Sequence, residues 1–200
     1  MPKRIDGFFI VIEGVDGSGK SLHSRLLNQN LIRRGEHVTL TAEPSRGEVG
    51  EFIKYLIREG KKSQPFVETL LFTADRYEHL ENEIEPSLKD GVIVVCDRYY
   101  YSTFAYQGAQ GVDIDWIIKL NSFARKPDLA FYLDISTEIA LQRIKKERTF
   151  FEMSHLLEKV RTYYLSFVKK GELILINSNR SIAEVKNQIL KISLEKMGSA

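Results

Sequence analysis

The sequence of 200 residues predicts an α/β fold, in which a parallel sheet carries helices on both faces. Strand-like apolar runs alternate along the chain with amphipathic helical segments, and strands that are joined by crossover helices pair in parallel. The runs FFIVI and VIVVC are apolar at every position, as expected of strands that are buried on both faces. No internal repeat or interdomain linker interrupts this alternation, so we expect one domain over residues 1–200.

The first half of the chain contains three predicted strands and three predicted helices. Leucines at helical spacing follow the first strand up to Gly35, and a second helical stripe of apolar residues stops at Gly60. A long third helix should begin near Val67 and end before Pro86, because proline disfavours the helical conformation in the residue before it. The predicted strands of this half are residues 8–12, 38–42 and 92–96.

The second half continues the same alternation of strands and helices. Asp113 is a predicted N-cap, because its carboxylate can accept from a free N–H group of the helix that carries Trp116. Ser181 and Glu184 have the spacing of a capping box at the start of the last helix. The other predicted elements are strands at residues 129–135 and 173–176 and helices at residues 138–147 and 155–168.

Charge and composition narrow the possible classes of function. The 29 Lys and Arg residues against 27 Asp and Glu give a net charge of +2, too small to indicate a nucleic-acid or membrane-surface protein. The apolar runs are far shorter than a membrane span, and the N-terminus lacks the core of a signal peptide. Because Cys96 is the only cysteine and the histidines lack metal-ligand spacing, we expect a cytoplasmic protein with Cys96 buried in a strand.

Residues 14–21 read GVDGSGKS and fit the phosphate-binding pattern G-x-x-x-x-G-K-[ST] between a buried strand and an amphipathic helix. The glycines let backbone N–H groups turn toward phosphates, while Lys20 reaches the β and γ phosphates and the Ser21 hydroxyl binds Mg²⁺. The alternative is a glycine-rich turn that binds no ligand. The predicted nucleotide-binding residues are Gly14, Val15, Asp16, Gly17, Ser18, Gly19, Lys20 and Ser21.

Asp97 directly follows the predicted strand VIVVC, and Arg98 comes next. Ligands of open α/β sheets bind at the carboxyl ends of the strands. An aspartate at that position can hold Mg²⁺ or accept a proton from the attacking group, and Arg98 can bind a second phosphate through two hydrogen bonds. The alternative is that Asp97 and Arg98 only pair with each other. We predict that both act in catalysis together with Lys20.

The helix predicted from Val67 carries two residues that lie away from its apolar stripe. At about 100° per residue, Val67 and Leu70 lie on one side of the helix, whereas Phe72 and Arg76 lie together on roughly the opposite side. We expect the side with Val67 to face the core and Phe72 to stack on a flat base near Arg76. The alternative is that Phe72 packs against a neighbouring helix.

Several segments together resemble the thymidylate kinase family. They are EGVDGSGKS, AEPSRGEVG, LLFTADRYEH, VVCDRYYYSTFAYQGA, KPDLAFYLDIS and RIKKERTFFE, which follow the family pattern in order over nearly the whole chain. The pair DRY-x-x-S-x-x-A-Y-Q-G and LLF-x-A-x-R is shared by few other families. The resemblance implies a P-loop kinase fold with a five-stranded parallel sheet, transfer of the ATP γ-phosphate to dTMP with Mg²⁺ as cofactor, and a homodimer.

The resemblance also implies which residues hold the thymidine part of dTMP. Phe72 would stack on thymine, and Tyr106 would pack beside the sugar and the base. Arg76 and Gln107 would contact the polar edge of the base. Taken one at a time, these residues have ordinary alternatives, such as a packed aromatic or a turn residue.

The phosphate of dTMP would be held by Arg46 and Arg98 according to the same resemblance. Asp16 would face the 3′-hydroxyl of the sugar or help to order the acceptor, and Ser102 is similar to a pocket serine of the family. For Arg46 the alternative is a solvated charge in a loop. Asp16 is therefore a predicted catalytic residue as well as a predicted binding residue.

Residues 143–152 are the predicted lid over ATP, and RIKKER at residues 143–148 supplies its basic side chains. Some family members carry an arginine after the loop aspartate, where this chain has Gly17, so the closing cation must come from elsewhere. We predict that Arg143 binds ATP and that Arg148 acts in catalysis, with Lys146 as a third candidate. The segment is short for the family and RTFFE replaces its usual ending, and the alternative is a solvated helix face.

Two other functions remain open at the level of sequence. A deoxynucleoside kinase shares the P-loop and the lid, but its uncharged acceptor would not require Arg46 and Arg98. A regulatory GTP-binding switch is disfavoured, because no N-K-x-D motif occurs and no glycine lies three residues after Asp97.

The sequence also leaves open how strictly the enzyme would exclude dUMP as an acceptor, since one methyl group contributes only about 1 to 3 kcal/mol of discrimination.

Overall fold

The computed structural model describes residues 7–61, 63–143 and 150–198, and only the backbone of residues 150–153. Within these residues, the strands are β1 (Phe8–Glu13), β2 (Val38–Ala42), β3 (Ile93–Asp97), β4 (Leu129–Asp134) and β5 (Ile174–Asn177). They form one sheet in the order β2-β3-β1-β4-β5, and every neighbouring pair is parallel. The predicted five-stranded parallel sheet is therefore confirmed.

Helices lie on both sides of this sheet. Their bounds are α1 (Lys20–Ile32), α2 (Glu48–Arg58), α3 (Pro65–His79), α4 (Glu85–Lys89), α5 (Tyr100–Ala109), α6 (Ile114–Leu120), α7 (Thr137–Arg143), α8 (Phe150–Lys169) and α9 (Ile182–Gly198). A π-helical turn, Leu80–Ile84, joins α3 to α4. No helix among the described residues combines the length and the apolar character needed to cross a membrane.

The central strand β1 divides the core between the two faces of the sheet. Phe9 and Val11 pack in a cluster with residues of α5 and α8, whereas Ile10 and Ile12 pack with residues of α1 and α9. Successive side chains of a strand point to opposite faces, so a strand that is buried on both faces must be apolar throughout. Cys96 in β3 is fully buried as a free thiol, as predicted.

The register of the sheet brings the two sequence motifs together. β1 and β3 are neighbours, and Ile12 is paired with Asp97 at the carboxyl end of both strands. The loop that begins at Gly14 therefore starts beside Asp97, although 82 residues of chain lie between them. This edge of the sheet is the one at which parallel α/β sheets bind ligands.

The cap predictions are confirmed, whereas the predicted end of the long helix is wrong. The Asp113 carboxylate accepts from the backbone N–H of Trp116 at 2.7 Å, and Ser181 and Glu184 exchange the hydrogen bonds of a capping box. Helical structure does not stop before Pro86 but continues to the end of α4. Pro86 lies in the first turn of α4, directly after the π-helical turn Leu80–Ile84, and local π-helical structure is one of the ways in which a helix accommodates an interruption of its hydrogen-bond pattern.

No helix is predicted from the sequence for residues 100–109, yet α5 covers them. The run YYYSTF is rich in aromatic residues, which are typical of strands and have modest helix propensity. Tertiary packing stabilises the helix instead, because Tyr101, Phe104 and Ala105 are buried and the Tyr101 ring lies 5.2 Å from that of Phe167 in α8. This helix carries three of the predicted substrate residues.

The apolar side of α3 does not face the core, which contradicts the prediction. Val67 and Leu70 are 47% and 50% exposed, whereas the opposite side of the helix buries Asp75 and Arg76. The buried side is polar because it meets a network of hydrogen bonds that includes the carboxylate of Glu43. An apolar stripe is thus left on the surface.

His79 at the end of α3 belongs to the same buried polar network. Its Nε2 lies 2.8 Å from the hydroxyl of Thr41 and 3.1 Å from Glu83, and its Nδ1 lies 3.6 Å from Glu43. Burial by itself would lower the pKa of His79, but the nearby carboxylates of Glu43 and Glu83 outweigh it and raise the pKa to about 9. The imidazole is therefore charged at neutral pH.

We expect the stabilisation by His79 to be lost at alkaline pH. The ordinary pKa of histidine is 6.5, so the folded state binds this proton more tightly than the unfolded state. The contribution of His79 to the free energy of unfolding is complete below pH 6.5 and disappears as the pH rises through about 9. Its size is on the order of 3 kcal/mol. Urea unfolding of the wild type and His79→Gln between pH 6 and pH 10 measures it, and parallel pH curves of the two proteins would contradict the assignment.

Candidate active site

The loop between β1 and α1 has the backbone conformation of a phosphate-binding loop. Gly17 and Gly19 have φ angles of 81° and 94°, in the left-handed region that glycine adopts without strain. A Cβ atom on Gly17 would lie 2.7 Å from the carbonyl oxygen of Ala140 in α7, so no other residue fits there. Because α1 begins at Lys20, its free N–H groups lie at the loop and favour an anion.

Lys20 is buried at the base of the loop. Its Nζ donates to the carbonyl oxygen of Val15 at 2.9 Å, and burial lowers the pKa of the ammonium group to about 8. The buried hydroxyl of Ser18 has no hydrogen-bond partner among the described residues. A bound phosphate would stabilise the charge on Lys20, because a nearby anion favours the protonated amine.

The side chains of Ser21 and Asp97 meet across the edge of the sheet. The Ser21 hydroxyl donates a short hydrogen bond to Oδ2 of Asp97, and Oδ1 of Asp97 is buried without a partner among the described residues. These oxygen atoms suit Mg²⁺, which prefers oxygen ligands and usually takes one or two from the protein and the rest from phosphates and water. In the part of the chain that the structure describes, no group of three or more acidic, His or Cys side chains could hold a metal.

Arg98 bridges the P-loop and α5. Its guanidinium donates to Asp16 Oδ1 at 2.5 Å and to the Ser102 hydroxyl at 3.0 Å, and it lies 5.3 Å from the centre of the Tyr106 ring. Its φ of 72° is the only positive value of a non-glycine residue in the described ranges. Asp97 contacts α1 instead, so the alternative in which Asp97 and Arg98 only pair with each other is wrong.

Glu13 is a functional residue that the sequence reasoning missed. The carboxylate is fully buried at the end of β1 and accepts from the Tyr99 backbone N–H at 2.8 Å, the Ser102 hydroxyl at 2.6 Å and the Tyr164 hydroxyl at 2.9 Å. Burial raises the pKa of Glu13, and these donors act against that shift. The carboxylate thus holds the segment that directly follows Arg98 and ties it to α8. An acidic residue inside a buried strand could have indicated this role, since such a group requires partners.

A cavity of about 620 Å³ lies beside the P-loop, and Asp16, Gly17 and Arg98 form part of its lining. This volume is within the range of small-molecule binding sites. The predicted substrate residues Phe72, Arg76, Ser102, Tyr106 and Gln107 also line it, together with apolar residues such as Ile53, Leu56 and Leu71. The structure therefore brings together predicted residues from two separate helices, α3 and α5.

Arg76 is held in place by other side chains of the protein. Its guanidinium donates to Glu43 at 2.5 Å, to Asn121 at 2.6 Å and to Thr103 at 3.1 Å. None of these three partners was identified from the sequence, because they lie 27 to 45 residues away from Arg76 along the chain and only the fold brings them together. The network leaves Arg76 with a defined position at the cavity wall.

Tyr106 and Gln107 extend from α5 in different directions. The Tyr106 hydroxyl accepts from the backbone N–H of Asp16 at 3.0 Å, and burial raises the pKa of this phenol. The side-chain amide of Gln107 donates to Glu68 of α3 at 3.3 Å. Glu68 has no role in the sequence prediction, yet it also lines the cavity.

Arg46 does not join the other predicted residues at the cavity. Its side chain is exposed, and it is not among the residues that form the lining. The loop that carries it is nevertheless well anchored, because Asp75 accepts from the backbone and the hydroxyl of Ser45 at 3.0 Å and 2.5 Å. The phosphate contact of Arg46 stays a prediction.

Arg143 at the end of α7 reaches the P-loop. It donates to the carbonyl oxygen of Gly17 at 3.1 Å and lines the cavity. The guanidinium of Arg143 therefore lies beside Gly17, the position at which some family members carry an arginine. Lys146, Arg148 and the rest of the predicted lid up to residue 149 lie outside the described residues.

Comparisons with known proteins agree on one family. Residues 12–189 match the family model described as thymidylate kinase. The chain is 42% identical to a probable thymidylate kinase of Pyrococcus horikoshii, over 93% of this chain and 95% of the relative. Probable thymidylate kinases of Staphylothermus marinus and Methanococcus aeolicus are 40% and 38% identical, over 96% and 94% of this chain and 97% and 96% of the relatives. Each alignment covers nearly the whole of this chain and nearly the whole of the relative.

Proposed function

The chain belongs to the thymidylate kinase family, and we propose that it transfers the γ-phosphate of ATP to dTMP, forming dTDP and ADP. One observation carries this proposal: the P-loop and the cavity share a wall, and Arg98 contacts the loop residue Asp16 while lining the cavity. A phosphate donor on the loop and a nucleotide in the cavity would therefore meet at Arg98.

The donor side of the reaction uses the loop and the end of β3. We propose that residues 14–21 bind the phosphates of ATP through backbone N–H groups and that Lys20 contacts the β and γ phosphates. Ser21 and Asp97 would hold Mg²⁺, which neutralises charge on the phosphate oxygens when it is bound. Arg143, beside Gly17, would contact ATP from the opposite side.

The acceptor side uses the cavity. We propose that Phe72 stacks on thymine, that Arg76 and Gln107 contact the base edge and that Tyr106 packs beside the sugar. Arg98 would bind the phosphate of dTMP, supported from behind by Ser102. Asp16 would keep the guanidinium in position and face the sugar hydroxyl.

Positioning and electrostatics account for the catalysis that we propose. In-line phosphoryl transfer spreads negative charge over the transferring oxygens and requires little covalent chemistry from the protein. Lys20 belongs to the loop, and Arg98 and Arg143 contact it from two other segments, so the three cations can stabilise this charge in a partly dry site. Contributions from Arg46, Lys146 and Arg148 remain proposals that depend on the family resemblance.

An acceptor panel tests the proposed function against the nucleoside kinase and the switch. The protein is incubated with Mg·ATP and one of dTMP, dUMP, AMP, CMP or thymidine, and the release of ADP is followed. We expect the highest kcat/KM with dTMP and loss of turnover when EDTA removes the metal. Turnover with thymidine alone would favour a nucleoside kinase, and no turnover with any acceptor would favour the switch.

We propose that the exposed side of α3 forms a homodimer with a second copy of the chain. The apolar residues of this surface, which we call the dimer face, are Phe66, Val67, Leu70, Tyr77 and Phe123, and each is 40% exposed or more. The rings of Tyr77 and Phe123 lie 5.2 Å apart, so the face continues from α3 to the segment after α6. Contiguous apolar surface of this kind is typical of interfaces, and a twofold axis would place two such faces against each other.

Replacing Leu70 by glutamate is expected to convert the dimer to a monomer. A charge at the centre of the dimer face would lose its hydration on association, which costs several kcal/mol when it has no partner. Sedimentation velocity measures the change in mass. Ile182→Glu, at an exposed apolar residue of α9, is the matched control and should leave the dimer intact. A Leu70→Glu protein that stays dimeric would contradict this choice of face.

We also propose a cytoplasmic protein with one domain over residues 1–200. A free buried thiol at Cys96 is compatible with a reducing compartment. The partners in this proposal are ATP and dTMP, and nucleic acid has no role in it.

A further inference from the structure

A carboxylate from α3 and an amide from α5 meet at the wall of the cavity. Nε2 of Gln107 donates to Oε2 of Glu68 at 3.3 Å, and both residues line the cavity. Gln107 is only 3% exposed, so its side chain is confined by the protein. The backbone N–H of Ser63 is a second donor to the Glu68 carboxylate. Glu68 therefore acts as an acceptor toward two different segments.

This arrangement decides which end of the Gln107 amide faces the ligand. A side-chain amide can turn by 180° and exchange its oxygen and nitrogen, and its hydrogen-bond partners select one of the two states. An ionised carboxylate only accepts, so Nε2 must face Glu68. Oε1 is left to point elsewhere, and it has no hydrogen-bond partner among the described residues. Burial raises the pKa of Glu68, and the donors Gln107 and Ser63 act against that shift.

We propose that Glu68 fixes the amide of Gln107 with its oxygen toward the base and thereby makes the site select pyrimidines with an N3–H donor over cytosine. Thymine and uracil carry a hydrogen on N3, which Oε1 of Gln107 can accept. Cytosine has an unprotonated N3, so two acceptors would face each other and both would lose their hydrogen bonds to water. Glu68 is a positioning residue here, and Gln107 makes the contact. The inference rests on the proposed binding of dTMP in this cavity.

The variant Glu68→Gln tests this orientation without changing the size of the side chain. A glutamine at position 68 can accept or donate, so it permits both states of the Gln107 amide. We expect the ratio of kcat/KM for dTMP to that for dCMP to fall by at least about tenfold, the scale of one buried hydrogen-bonded contact to a base. The ratio for dTMP to dUMP should not change, because both bases carry the N3–H donor.

Matched measurements separate this role from a general effect on the fold. Glu81→Gln, at an exposed residue of the turn after α3, should keep both ratios at the wild-type value. Gln107→Leu removes the acceptor itself and should also lower the ratio for dTMP to dCMP. Dissociation constants for dTMP and dCMP without ATP should show the same change, which makes the readout independent of the chemical step.

The outcomes distinguish this inference from the proposed function. If Glu68→Gln loses activity equally with dTMP, dUMP and dCMP, Glu68 only supports the cavity wall and the inference is overturned. A wild type that does not discriminate against dCMP also overturns it, and so does an unchanged ratio in Gln107→Leu, which decides the question if Glu68→Gln does not fold. A wild type without turnover on dTMP would instead overturn the proposed function itself.

Discussion

Replacing Arg98 by alanine is expected to lower kcat with dTMP by at least about a hundredfold, the usual cost of one electrostatic contributor to a charged transition state. The guanidinium is the cation that contacts both the P-loop, at Asp16, and α5, at Ser102. Its removal would take away a cation that we propose to bind the acceptor phosphate between the P-loop and the cavity. Steady-state ADP release at saturating ATP and dTMP measures the loss.

Two further variants show whether the loss arises from the guanidinium. Arg98→Lys keeps the charge and the positive φ but cannot form two parallel hydrogen bonds, so we expect an intermediate rate. Arg125→Ala removes a partly exposed arginine that pairs with Glu85 far from the loop, and it should stay within about twofold of the wild type. A normal kcat in Arg98→Ala would remove Arg98 from the chemistry.

The substitution Asp97→Asn should also lower turnover by at least about a hundredfold and raise the Mg²⁺ concentration needed for half-maximal rate. Asparagine has the same shape but lacks the negative charge, and its amide NH₂ cannot bind a metal. The buried Oδ1 of Asp97, which has no partner among the described residues, is the atom whose loss should matter most. Titrations of rate against Mg²⁺ measure both effects.

Asp90→Asn is the matched control for this experiment. Asp90 is exposed in the turn before β3, so its charge should not affect the Mg²⁺ requirement. An Asp97→Asn protein with normal rate and normal Mg²⁺ dependence would show that the metal is held elsewhere. Retention of the fold is checked by thermal unfolding of each variant.

Local signals in the sequence were sufficient to predict the loop after β1 and the position of Asp97 at the end of β3. The P-loop is a contiguous stretch in which each residue has one local function, and Asp97 ends a strand whose apolar run is unmistakable. The strands and most helices were predicted for the same reason, because periodicity and caps act within a few residues. Glu13 and α5 were missed because their roles depend on contacts with α8, which lies about 60 to 150 residues further along the chain.

The side of α3 that is buried shows a second limit of prediction from the sequence. Its sequence has a clear apolar side, and periodicity alone places that side in the core. The structure reverses this assignment, since the polar side carries Asp75, Arg76 and His79 into a network with Glu43. Buried polar groups are stable only when partners from other segments satisfy them, and a single helix cannot reveal whether such partners exist.

The sequence by itself determined the parallel α/β architecture, the phosphate loop and the family to which the chain belongs. Only the tertiary structure decided which side of α3 is buried, which side chains hold Arg76 and Arg98, and which end of the Gln107 amide Glu68 selects. The physical reason is the range of the interactions. Helix periodicity, caps and glycine conformations are set by near neighbours, whereas the satisfaction of a buried charge depends on groups that folding brings together from distant parts of the chain.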